Sequence, residues 1–133
     1  MPRTELRVQW AAVAFGWLAD FSLRILIQVT LGWLGATRVF TAPSLHEPLH
    51  VLILALILAA TATGGFIAAR IAGESFTLHG LLVGVTSILA AAVSNPGLVP
   101  VPRLLVAVQA LSLLAGALGG LLASLATRGQ ASR

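Results

Sequence analysis

Apolar positions gather into four long runs, divided by polar or Pro/Gly-containing breaks, at about 8–35, 50–72, 76–93 and 103–126. Each run reaches or nearly reaches the roughly 20 residues that a helix needs to cross a hydrocarbon core. Strand-length alternation is missing, and inside lipid only a helix satisfies its own backbone. The pattern predicts an all-α integral membrane four-helix bundle, with residues 1–133 forming one transmembrane domain. Pro43, Ser44 and Pro48 break the chain between the first two spans, and Pro48 suits the first turn of the second. Ser44 and Glu47 have the spacing of a capping box. Gly73 stands where a left-handed C-cap is expected, and Asn95-Pro96-Gly97 reads as a turn.

Composition sharpens this picture. The chain has no cysteine, 9% charged residues and 58% hydrophobic ones, against roughly a quarter charged in a soluble domain. A mean hydropathy of +0.98 agrees. A disulfide scaffold, a cysteine-ligated metal site and an ordinary cytosolic enzyme are excluded. The pI of 11.8 does not indicate nucleic-acid binding, because lysine is absent and the arginines are scattered rather than clustered. They bear on topology instead. Arg3, Arg7, Arg70, Arg128 and Arg133 fall on one side, against Arg38 and Arg103 on the other, which predicts both termini in the cytoplasm. The expected location is the inner (plasma) membrane, multi-pass. Trp10 and Trp33, about 34 Å apart along a helix, fit the two interfacial belts. Asp20 and Arg24 interrupt the first run, which reads as an uncleaved span rather than a signal peptide.

Gly16, Asp20, Arg24, Gln28 and Gly32 recur every four residues along a drifting face of span one. On insertion scales the two charges cost about 5–7 kcal/mol together, and the Leu, Ile, Val and Phe residues between Trp10 and Trp33 return only about 3–6 kcal/mol. The span is marginal alone, so the pair must satisfy itself or be covered by another helix. An internal ion pair with Gln28 hydrogen-bonded nearby would fix helix packing. A proton or cation carrier at Asp20, or a site completed by a partner subunit, is the alternative. Small residues at four-residue spacing occur in the other spans: Thr61, Gly65, Ala69 and Gly73 with Gly64 beside them, then Gly80 and Gly84, then Ser112, Gly116, Gly120 and Ser124. They predict close helix approach inside the bundle, and a dimer face is the other reading. Gly64 to Ala69 also echo Gly119 to Ser124, as two related hairpins would.

His46-Glu47-Pro48-Leu49-His50 matches H-E-x-x-H, in which two histidines on one helical face bind zinc and Glu acts as base. Pro48 disturbs that helix, the third ligand is missing after Asn95 to Pro102, and His79 is expected on the opposite side. No metal site or cofactor is expected, and an intramembrane zinc protease is only a remote alternative.

The run Gly64-Gly-Phe-Ile-Ala-Ala-Arg-Ile-Ala-Gly73, followed by His79-Gly80-Leu-Leu-Val-Gly84, resembles the core of small four-span bacterial membrane proteins of the YrzE-like type. Asp20 and the glycines from Gly116 onward extend the resemblance; Arg24 and the His46–His50 stretch depart from it. It implies a four-helix bundle and no assigned activity. Fluoride channels resemble the chain less, for want of their polar track, as do small multidrug exporters, for want of an aromatic cavity. The expected role is a non-enzymatic structural or accessory component of a membrane assembly. The expected surroundings are the lipid bilayer and a homo-oligomer or larger complex. The alternative is a small oligomeric transporter or channel using Asp20 and Arg24.

Overall fold

A computed structural model describes residues 8–94, 97 and 100–131, and among them it contains helices and no strand. In chain order these are α1 (Trp10–Trp33), α2 (Arg38–Thr41), α3 (Pro48–Ala72), α4 (Phe76–Ser94) and α5 (Arg103–Ala131). All but α2 are long and apolar enough to cross a membrane, as in a small multi-pass membrane protein. The observed spans differ from the expected ones at their ends: α1 is shorter, Trp10–Trp33 rather than 8–35, whereas α3 starts at Pro48 rather than His50 and α5 runs past Ala126 to Ala131. The short α2 is new, since four residues carry no helical period.

Local chemistry sets the boundaries. Pro48 occupies the first turn of α3, where its missing N–H costs nothing. Glu47 is the N-cap and makes no side-chain capping bond, so no capping box forms with Ser44. The Ser44 hydroxyl instead accepts the His46 N–H at 3.2 Å, within the turn that precedes the helix. Gly73 takes φ 70° and donates its N–H to the Ala69 carbonyl, the left-handed C-cap that closes α3. Ser75, two residues on, also lies at positive φ, so the chain reverses into α4 in three residues. Of the turn expected at 95–97, Asn95 and Pro96 lie outside the described residues, and Gly97 has φ 82°.

α3 and α4 form the centre, and α1 and α5 each pack on both of them while scarcely touching one another. The start of α1 and the ends of α3 and α5 lie together, since Gln9 reaches the Ala72 carbonyl and Arg70 donates to Thr127. At the far end, Leu31 of α1, Val39 of α2, Ile53, Leu54 and Ile57 of α3 and Val108 of α5 form one core to which α4 contributes nothing. Large apolar side chains such as Leu26, Leu56, Leu89 and Leu114 are exposed, as a lipid solvent allows.

Glycine permits the close packing. A Cβ on Gly16 would sit 2.5 Å from the Gly64 carbonyl oxygen, and one on Gly64 would meet the Gly16 carbonyl equally closely. Gly65, Gly80 and Gly116 press backbone on backbone across α3, α4 and α5, while Gly84 meets Ser112 and Gly120 meets Phe76. Ala69 is fully buried beside them. Gly80→Leu is expected to cost at least about 1–3 kcal/mol, because backbone has no room to yield. Gly32→Leu, which meets nothing within 4 Å, should leave the fold unchanged. Thermal unfolding in detergent compares the two.

Candidate functional site: a buried ion pair held by four helices

Asp20 sits near the middle of α1 and is 1% exposed. Gly64 opposite makes its burial possible, since a Cβ on Gly64 would come within 3.0 Å of the Asp20 Cβ. One turn on, Arg24 Nε donates to Asp20 Oδ1 at 2.9 Å. Three hydroxyls from the other spans complete the cluster. Thr61 of α3 donates to Oδ1 at 3.0 Å, and Ser87 of α4 makes a short hydrogen bond to Oδ2. Arg24 Nη2 in turn donates to Thr61 Oγ1 at 2.6 Å and to Ser112 Oγ of α5 at 3.2 Å. The Ser112 O–H donates to the Val108 carbonyl at 3.3 Å, which leaves its oxygen free to accept from the cation.

The arrangement answers the cost of the charges. Oppositely charged groups in contact, each with further charge-assisted hydrogen bonds, satisfy the condition under which a buried pair holds. Among the described residues no buried side-chain nitrogen or oxygen lacks a hydrogen-bond partner. Beside Arg24 lies a cavity of about 30 Å³ lined by Ile27, Gln28, Phe40 and Ile57. That is room for about a single water molecule.

The expected polar stripe separates into two parts. Gly16, Asp20 and Arg24 face the bundle, whereas Gln28 and Gly32 are exposed. A four-residue step turns a helix about 40° past one full revolution, so Gly32 lies roughly 160° around from Gly16. Gln28 therefore makes no hydrogen bond with the pair, and Gly32 packs on no helix. Thr61 and Ser112 stood in the sequence as small-residue positions, but their hydroxyls are what the site uses. Ser87 carried one available signal, a polar residue at mid-span depth in an apolar helix.

Two histidines have structural work. His79 is fully buried at the start of α4. Its Nε2 accepts the Gln9 N–H at 3.0 Å, and its Nδ1 donates to the Ser75 carbonyl at 3.1 Å, an arrangement that calls for the neutral ring. Gln9 reaches on to the Ala72 carbonyl at 3.0 Å, so the entry to α1 is tied to the α3–α4 turn. His50 Nδ1 accepts the Ser44 N–H at 3.1 Å, and its Nε2 lies 3.2 Å from Glu47. His46 precedes the helix that Pro48 begins, so it shares no helical face with His50. No group of three or more His, Cys, Asp or Glu gathers among the described residues.

The fold and the cluster define a four-span helical membrane protein organised on a polar centre. Compared with protein-family models, curated proteins and solved structures, the chain matches none.

Asp20→Leu leaves the largely covered Arg24, 18% exposed, without its charge partner and is expected to cost up to about 3–5 kcal/mol. The double variant Asp20→Leu, Arg24→Leu should recover much of that loss, as measured by denaturant unfolding in micelles. His79→Leu removes the acceptor for the Gln9 N–H and should speed hydrogen exchange at 9–12 without disturbing Asp20 and its partners.

Proposed function

We propose that this chain is a non-enzymatic structural or accessory component of a membrane assembly. One observation carries the reading: Asp20 is fully buried and the charged pair on α1 is hydrogen-bonded by hydroxyls from the three other spans. Such a site rewards assembly. A transport site needs a route and an exchangeable partner, and Asp20, 1% exposed, has both carboxylate oxygens bonded to side chains of the bundle. The chain has short loops between most of its helices, so what it offers another molecule is mainly its lipid-facing surface. The arginine distribution supports both termini in the cytoplasm and a place in the inner (plasma) membrane. The Gly64 to Gly84 pattern supports kinship with YrzE-like four-span proteins.

The test is isolation of the tagged protein from its own host in mild detergent, with particle mass and co-purifying chains measured. A different chain present in fixed stoichiometry is the expected result. A particle made of this chain alone, with ion or proton flux in liposomes that Asp20→Asn abolishes while leaving folding intact, would overturn the reading in favour of a transporter.

A further inference from the structure

A guanidinium donates hydrogen bonds from all of its nitrogens. The Arg24 Nε serves Asp20, and its Nη2 serves Thr61 and Ser112. Nη1 makes no hydrogen bond among the described residues, yet no buried side-chain nitrogen among them lacks a partner. Nη1 therefore faces space that protein does not fill, on a side chain only 18% exposed. The cavity of about 30 Å³ lies beside it. Its polar walls are Arg24 and Gln28, and its apolar walls are Ile27, Phe40 of α2 and Ile57.

Gln28 has the same need. Hydroxyls such as Ser22, Thr30 and Thr63 donate to a carbonyl of their own helix, whereas Gln28 makes no hydrogen bond among the described residues. Five residues separate it from Trp33, which places it roughly 7–8 Å inside the helix end. An unsatisfied amide at that depth is costly.

We propose that this cavity is a hydration site of the ion pair, in which one water accepts from Arg24 Nη1 and donates to the Gln28 side-chain oxygen. A single ligand then serves two polar groups that the bundle leaves without a partner. The volume suffices for one water, and two polar neighbours meet the least that a buried water requires. Chemistry excludes the other occupants. Asp20 already neutralises Arg24 at 2.9 Å, so an anion would bring an uncompensated charge into the span. A headgroup phosphate is out of reach, since Arg24 lies nine residues from Trp33, roughly 13–14 Å inside the helix end. A lipid chain offers Nη1 no acceptor. Gln28, which touches none of the cluster directly, thus becomes its outer member through the water. The site does not depend on the accessory role, because either role requires the pair to be solvated.

X-ray hydroxyl-radical labelling of the whole protein in proteoliposomes reads such a water, because radicals formed from it modify the side chain beside it. Ile57, 9% exposed and lining the cavity, is expected to be modified. Ile53, 2% exposed one turn earlier on α3, is not. Gln28→Leu should bring Ile57 down to the Ile53 level, while Gln109→Leu, outside the cavity, should leave it modified. The Ile57 to Ile53 comparison uses the unaltered chain, so it stands even where a variant fails to fold. Ile57 modified no more than Ile53, or modification that a folded Gln28→Leu variant retains, would overturn the proposal. So would modification suppressed in chloride but not in gluconate, which would make the occupant an anion.

Discussion

A carboxylate cannot remain charged in hydrocarbon without partners, and that constraint on Asp20 organises the molecule. Arg24, Thr61 and Ser87 supply the partners, and Ser112 completes the arginine's own needs. Serine and threonine hydroxyls are short, so helices that contribute them must stand close to the charge. Close approach is what Gly16 and Gly64 provide between α1 and α3, and Gly84 between α4 and the Ser112 backbone. The glycine contacts and the polar cluster are therefore one design. The glycines set the spacing at which short hydroxyls can reach an ion pair, and the pair gives the helices a reason to associate that lipid-facing leucines cannot supply.

The two halves of the bundle are held differently. The half that carries the start of α1 joins it to α3 and α4 by Val13, Ala68 and Val83, with His79 and Gln9 binding the end. The far half relies on apolar contact among α1, α2, α3 and α5, where Val39 of α2 is fully buried. α2 thus folds back over the bundle rather than serving as a plain linker.

The four spans were readable in the sequence because hydrocarbon thickness sets a length that composition must meet. Pro48 and Gly73 were readable because each acts through its own backbone restriction. The Asp20–Arg24 pair was readable from its spacing, but its ligands were not. A hydroxyl at mid-span looks the same whether it bonds its own helix, as Thr63 does, or a carboxylate 41 residues away, as Thr61 does. Gln28 and Gly32 were grouped with the inner stripe because a four-residue step is close to a helical turn. Over four steps the small excess carries a residue to the other side. The ties of His79 were not readable because its partners are a backbone N–H and a backbone carbonyl, which side-chain motifs do not show.

The order in which the chain is made adds a consequence. Asp20 and Arg24 lie in α1, while Thr61, Ser87 and Ser112 follow later in the chain, Ser112 being 88 residues after Arg24. At 5–20 residues per second, the last of these groups emerges about 4–18 s after the arginine. Throughout that interval the pair keeps its own i,i+4 contact within α1 but lacks at least one of the hydroxyls that complete it, so its final set of hydrogen bonds is reached only when α5 is made.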